Sequence, residues 1–546
     1  MLFGDLGSRL VSEHVHDAIV LGAGVSGIYA IKRLVDLGLD ALVLEADDDL
    51  GGTWFRNRYP GCRFDSESYT YGYSWSSEIL ETWHWKELFS SQPENLRYLN
   101  FVAERFDLRR HMRFGSRVEA MMWDEEARVW RIQLSDGSSF VSRFVVPSIG
   151  PLSIPTLPDF AGRNDFAGDW WHTHAWPKEP VDLSGRRVGI VGTGATAIQI
   201  IAAICDEVGE LTVFQRRPNW SSPLNNRPIS EQEMADIRLR YDEIFAACAT
   251  TPGGFEHTPK WGFWDATPQE RRQLWDELYE QPGFAITGAN YAEIYFDEQA
   301  NRELSDYIAD RIRDRVDDPV TAEKLIPHDH GFALQRLPLE SGYFEAYNRP
   351  HVHLVDVSEH PIERVTPSGI QTTAGHHELD LIVYATGFDA ITGAYDRIRI
   401  EGVGGQRLDE RWRDSPSTLA GVLSHGFPNM VMVAGPQSVS GSTNFPRAIE
   451  GSVDFMAQLL GEAFEKGHTR IEAEPGAEAD WVEEVKKYQE RLLIRDSKGW
   501  FTGYNSNVAG HHEGTIRYQA YFGGAPRYNR FVAMLIDEGF PGVAFA

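Results

Sequence analysis

Two short glycine-rich strings constrain this chain most, because each sits where a buried strand must turn directly into a helix. The first is Gly22-Ala23-Gly24-Val25-Ser26-Gly27 and the second is Gly192-Thr193-Gly194-Ala195-Thr196-Ala197. The apolar run Ala18-Ile19-Val20-Leu21 precedes the first, and Ile28, Leu34 and Leu37 follow it at helical spacing. Val188-Gly189-Ile190-Val191 repeats the strand before the second. Glycines at such a junction let the backbone approach a pyrophosphate at a helix N-terminus, where free N–H groups and the helix dipole favour anions. A lone G-x-G-x-x-G can be just a tight turn, but here strand, turn, helix and following strand agree. Ala197 replaces the third glycine of the second turn, so packing of helix on strand is expected to be slightly looser there.

The two units end on opposite charges. The strand after the first turn ends at Glu45, and the one after the second ends at Arg216 and Arg217. A carboxylate suits a bare ribose diol, whereas paired guanidinium groups suit a 2′-phosphate. The expected fold is α/β, with two Rossmann-like dinucleotide-binding domains that hold different nucleotides.

With 546 residues the chain exceeds what one core usually organises. Residues 1–150 read as the first part of one nucleotide domain, carrying a small sheet insertion around Val129–Leu134. A proline-rich crossing leads to the second nucleotide domain, 151–384, with a helical insertion at about 225–330 marked by Ile237, Tyr241, Ile244 and Phe245. Residues 385–546 are expected to rejoin the first domain, which otherwise lacks strands and a floor for its ligand.

A net charge of -28 disfavours nucleic acid and anionic membrane surfaces as partners. The N-terminus has no charged start leading into a long apolar run, and the apolar stretch near Ile19 falls far short of a membrane span. The three cysteines, Cys62, Cys205 and Cys248, are scattered without C-x-x-C or ligand spacing, which fits a reducing cytoplasm. No G-x-S-x-G nucleophile elbow occurs, which disfavours a hydrolase. The histidine pairs His14/His16, His328/His330 and His511/His512 lack ligand partners at recognisable spacing, so they read as solvated surface residues and no metal is expected.

Two further segments carry chemistry. One runs Gly51-Gly52-Thr53-Trp54-Phe55-Arg56-Asn57-Arg58-Tyr59-Pro60-Gly61-Cys62-Arg63-Phe64-Asp65, dense in glycine, aromatics and arginine beyond the first nucleotide site, as suits a loop on a flat ring. The other, Phe166 to Pro177, would by itself pass as an aromatic-rich linker. Together they resemble the Baeyer-Villiger monooxygenases, flavin enzymes that insert oxygen beside a ketone carbonyl. The family's F-x-G-x-x-x-H-x-x-x-W-P matches at Phe166, Gly168, His172, Trp176 and Pro177, and its G-G-x-W-x-x-x-x-Y-P-G-x-x-x-D matches from Gly51 to Asp65. The Trp-Pro ending separates this signature from that of related N- and S-oxygenating flavin enzymes. Similarity continues through Ala385-Thr386-Gly387, Gly426-Phe427-Pro428-Asn429 and Ala434-Gly435-Pro436 to Trp500.

The resemblance implies FAD at the first turn, held by Gly22, Gly24, Ser26, Gly27, Glu45, Gly52, Thr53, Trp54, Asp65 and Tyr71. It implies NADPH at the second, held by Thr193, Gly194, Ala195, Thr196, Ala197, Arg216, Arg217 and Trp500. NADPH would reduce FAD, and O2 would then give a C4a-peroxyflavin that attacks an apolar ketone, cyclic ketones included, to form an ester or lactone. Arg336, in Phe332-Ala333-Leu334-Gln335-Arg336, matches the arginine that stabilises this anion, with Asp65 positioning it. Gln335 stands where the family commonly has a lysine on the 2′-phosphate, leaving that phosphate to Arg216 and Arg217. His172 takes a structural role between domains. Ser438, Ser440, Gly441 and Asn444, in the loop Gln437–Pro446, border the substrate pocket. The rival readings are an amine or sulfide oxygenase and a non-catalytic FAD-binding sensor. A monomer is compatible with everything in the sequence.

Overall fold

The computed structural model describes residues 14–439, 443–511 and 516–546. Strand Val15–Leu21 is buried over its last four residues and is flanked by parallel partners, Ala41–Leu44 and Ser139–Pro147, which is why it reads as an unbroken apolar run. It lies inside a seven-stranded sheet ordered Arg399–Glu401, Val118–Asp124, Val129–Leu134, Ser139–Pro147, Val15–Leu21, Ala41–Leu44, Met112–Arg113. The strand Val129–Leu134 pairs antiparallel on both sides and alternates buried with exposed residues, as its sequence pattern requires. Beyond residue 385 the chain returns to this sheet: Arg399–Glu401 pairs with Val118–Asp124, and Met430 bridges to Val145. The helix Phe445–Lys466 then crosses helix Val25–Asp36, where Tyr29 donates a 2.7 Å hydrogen bond to Asp454.

A second sheet of five parallel strands is ordered Val352–Asp356, Glu210–Gln215, Arg187–Val191, Leu381–Tyr384, Asp169–His172. The helix Ala195–Ile204 leaves its central strand at the second glycine turn. Between Ser222–Pro223 and Leu339–Glu340 the chain is mainly helical, including Glu231–Leu239, Tyr241–Thr250, Pro268–Tyr279 and Glu298–Arg315. Local chemistry sets these helix starts: Thr267 and Glu270 close a capping box before Pro268, and Asp297 caps the N-terminus of Glu298–Arg315. An antiparallel meander, Ile362–Thr366, Gly369–Thr372 and Gly375–Glu378, precedes the last strand of the second sheet. Among the described residues, no helix is long and apolar enough to cross a membrane.

Candidate active site

Both glycine turns lie at the C-terminal ends of central parallel strands, where open α/β sheets leave a crevice for ligands. Gly22 takes φ +97°, and a Cβ there would come within 2.8 Å of the Ser148 carbonyl oxygen. At Gly27 a Cβ would lie 1.8 Å from the Gly22 carbonyl oxygen, so only glycine lets the helix approach its own turn this closely. Gly24 opposes Gly52, whose Cβ would sit 3.0 Å from the Gly24 Cα. Neither Gly24 nor Gly194 offers a side-chain cap to its helix, so both N-termini keep free N–H donors for an anion. These backbone cradles fit a dinucleotide at each turn. At the second, Ala197 is fully buried.

Glu45 closes the first site. Its carboxylate accepts from Ala23 N at 2.6 Å and from Asp47 N at 2.8 Å. Burial raises its pKa, and those two backbone donors oppose the rise. Ser26 is buried at the helix start, while Thr53 opens the short helix Thr53–Arg56 after Gly52. Beyond it Trp54 donates to the Tyr71 hydroxyl at 2.9 Å, and Phe64 stacks on Tyr71 with centroids 4.2 Å apart. Burial holds the Tyr71 phenol far above its usual pKa, so it stays neutral. These rings form an aromatic cluster beyond the glycine turn, with Trp54 edge-on to the stacked Phe64 and Tyr71.

Asp65, at the end of the same segment, meets Arg336. One guanidinium nitrogen, Nη2, donates to both carboxylate oxygens, at 2.7 and 2.8 Å. A second, Nη1, donates to the Leu337 carbonyl, and the guanidinium lies 5.2 Å from the Phe284 ring centroid. Asp65 is more buried than Arg336, with side chains 14% and 36% exposed. The carboxylate therefore fixes a cation that still presents one face outward, which is what stabilising a nearby developing anion requires. Phe284 was not foreseen, because its only signal is the three-dimensional contact.

The signature segment forms the edge strand Asp169–His172 of the second sheet and the turn beyond it. Gly168 must be glycine: a Cβ would lie 2.6 Å from the Asp380 carbonyl oxygen and 2.7 Å from the Phe166 ring. His172 Nε2 donates to the Gly387 carbonyl at 3.1 Å, and its Nδ1 accepts from the His174 N–H at 3.1 Å. Burial lowers the His172 pKa to about 4, so the ring is neutral, which suits the structural role. Trp176 packs edge-on to Trp171 at 5.4 Å, followed by Pro177. A contact missed by the sequence reading is Arg56 Nη1 to His174 Nε2 at 3.1 Å, which ties the aromatic loop to this segment. Another is Tyr59, whose hydroxyl donates to Gln199 at 2.9 Å while Gly61 packs against the Gln199 backbone. The Tyr-Pro-Gly of the first motif thus docks on the helix that carries Ala195, Thr196 and Ala197.

At the second site, Thr193 Oγ1 donates to the Arg217 carbonyl at 2.6 Å, which sets the two arginines beyond the turn. Arg216 bonds Ser506 Oγ at 2.5 Å, and Arg217 reaches Asp329 only at 3.5 Å. Partial desolvation, then the like charge of Arg217, lowers the Arg216 pKa, which marks a pair short of negative charge. A 2′-phosphate fits that deficit. Gln335 Nε2 and Arg217 Nη2 both donate to the Lys498 carbonyl, at 3.2 and 3.4 Å, so Gln335 does lie beside this pair. Trp500 follows, its ring tilted against Phe501 with centroids 4.2 Å apart. Asn505 and Asn507 tie this segment to the Thr386–Phe388 turn.

In the expected substrate loop, Asn444 donates to Thr70 Oγ1 at 3.1 Å, one residue from Tyr71, and its buried Oδ1 has no partner among the described residues. Ser438 is buried, with its carbonyl accepting from Tyr521 N; Ser440 and Gly441 lie outside the described residues. Three histidines read as solvated are not, His16 among them, with a 15% exposed side chain 3.1 Å from Asp40. His330 has a 4% exposed side chain bonded to Asp329 at 2.6 Å, and His511 lies between Arg517 and Asp389. Contacts with distant residues, Trp220 for His330 and Asp389 for His511, overrode their polar local sequence. His512 lies outside the described residues.

Against this geometry, the flavin-binding monooxygenase-like family model matches residues 16–223. A monooxygenase of 2-oxo-Δ3-4,5,5-trimethylcyclopentenylacetyl-CoA from Pseudomonas putida is 40% identical over 97% of this chain and 98% of its own length. A Baeyer-Villiger monooxygenase from Pseudooceanicola batsensis is 35% identical over 96% and 95%. A crystal structure of OTEMO in complex with FAD and NADP superposes with a TM-score of 0.94 at 39% identity, over 98% of this chain and 100% of that one. The chain belongs to the Baeyer-Villiger monooxygenases.

Proposed function

We propose that this FAD- and NADPH-dependent Baeyer-Villiger monooxygenase converts apolar ketones, cyclic ketones included, to esters or lactones, with Arg336 and Asp65 as its catalytic pair. Bound FAD supplies the redox chemistry, taking electrons from NADPH and activating O2. The chain's residues do the rest. Gly22, Gly24, Gly27 and Gly52 admit the first dinucleotide, with Glu45 at its ribose end. Trp54 and Tyr71 bound the ring, while Thr193 to Ala197, Arg216 and Arg217 take the second dinucleotide and Trp500 covers it. Arg336 faces the negative charge that develops beside the ring, and Asp65 holds its orientation. NADP+ held by Thr193 to Ala197, Arg216 and Arg217 would, when bound, shield the reacting atoms from water. The substrate approaches past Ser438, Ser440, Gly441 and Asn444.

The two-oxygen grip of Asp65 on Arg336, beside the Trp54, Phe64 and Tyr71 cluster, is the observation that carries this reading. We divide the chain into 1–150, 151–384 and 385–546, the first and last forming the FAD domain. The protein is proposed to act in the cytoplasm, since its buried, unpaired cysteines favour a reducing compartment.

A panel of cyclic and aryl ketones, offered with NADPH to flavin-loaded protein and read by product mass, tests the reading. Lactone or ester supports it. Oxidation of amines or sulfides alone overturns it in favour of heteroatom oxygenation.

A further inference from the structure

The end of the first sheet opposite the glycine turn holds a cluster that the monooxygenase reaction does not use. His14 and His16 are two apart in extended backbone, so their rings share a face. The centroids are 4.4 Å apart, edge to face. Asp40, which immediately precedes the neighbouring parallel strand Ala41–Leu44, points one oxygen at both rings. Its Oδ2 lies 2.8 Å from His14 Nε2 and 3.1 Å from His16 Nδ1. The three candidate donor atoms all lie within 4.8 Å of one another.

We propose that His14, His16 and Asp40 form a binding site for a divalent first-row transition metal, with zinc the favoured occupant. Two imidazoles and one carboxylate are the donor set that zinc takes readily, with water completing a tetrahedron. Ligand atoms on one tetrahedral zinc stand about 3.4 Å apart, given metal bonds of roughly 2.0 to 2.1 Å. The two histidine-to-carboxylate separations, 2.8 and 3.1 Å, need to open by roughly 0.3 to 0.6 Å to match that spacing. His14 and Asp40 can make that move, since their side chains are 70% and 50% exposed, whereas His16, at 15%, is held in place.

The backbone is already fixed for this purpose. Asp40 O accepts from Asp17 N at 3.0 Å and Ala18 N at 3.3 Å, and Asp40 N donates to Asp17 Oδ2 at 3.1 Å. Asp17 is itself committed to Arg143 at 3.3 Å, so it buttresses the site without joining the donor set. A chain with a net charge of -28 also draws cations toward its surface. Bound metal would pin together the starts of two parallel strands, far along the sheet from the nucleotide turn.

The test uses untagged, flavin-loaded full chain, stripped with chelator, dialysed and titrated with zinc chloride in a calorimeter. One equivalent is expected to bind, and His14→Ala and Asp40→Asn are each expected to weaken it at least tenfold while FAD content and ketone turnover stay unchanged. With copper(II) as a second probe, electron paramagnetic resonance should show coupling to two imidazole nitrogens, and to one in His14→Ala. Absence of stoichiometric zinc binding, equal affinity in His14→Ala, or a copper signal without histidine coupling overturns the site.

Discussion

Arg336 is held by Asp65 on one side and lies over the Phe284 ring on another, so its charge is fixed before any substrate arrives. Preorganised charges of this kind contribute through the transition state and leave cofactor binding alone. Arg336→Ala should therefore keep its FAD and its NADPH-dependent flavin bleaching, while ketone turnover drops about 10² to 10³-fold. Stopped-flow absorbance and lactone yield measure the two halves separately, and an unchanged yield removes Arg336 from the chemistry. Gly27 gives the opposite pattern. A methyl group there would press on the Gly22 carbonyl at 1.8 Å, a backbone atom that cannot yield without opening the turn. Gly27→Ala should purify largely without FAD, as the ratio of flavin to protein absorbance would show.

At the scale of elements, the second turn and the strand beyond it act as one anion site, because Thr193 on the turn bonds the Arg217 carbonyl. Replacing Arg216 and Arg217 with Ala should raise the KM for NADPH about 10²-fold, the effect of losing charge-assisted contacts to one phosphate, while the KM for NADH moves little. Gln335→Lys should lower the KM for NADPH, since Gln335 shares the Lys498 carbonyl with Arg217. Steady-state kinetics with both cofactors decides; equal changes for NADPH and NADH exclude a 2′-phosphate at this pair. The turns, their flanking strands and the terminal charges were legible in the sequence because each is local, confined to a strand, a turn and the start of a helix. Arg56 with His174, Tyr59 with Gln199 and Phe284 beneath Arg336 were not. Those partners are 118, 140 and 52 positions apart, and no periodicity or spacing connects them. His330 failed for the same reason, since a polar neighbourhood in sequence became a buried one in space.

Across the whole molecule, the two nucleotide units meet through buried polar contacts, and these make the assembly sensitive to acid. His172 ends the edge strand Asp169–His172 of the second sheet and His174 sits in the turn that follows; burial lowers their pKa values to about 4 and about 3. Desolvation dominates for both, with the Arg56 charge adding to the effect on His174. In the unfolded chain each histidine takes up a proton near pH 6.5. Between that pH and the folded values the unfolded state binds more protons, so stability falls as the solution is acidified and levels off only below the folded pKa. For His172 alone the loss amounts to about 3 kcal/mol by pH 4. His172→Gln can still donate to the Gly387 carbonyl and accept from His174 N, but it cannot titrate. Its urea midpoint should therefore fall less steeply than the native protein's between pH 7 and pH 4. If the two curves stay parallel, His172 is not the buried neutral residue that its hydrogen bonds to Gly387 and His174 describe.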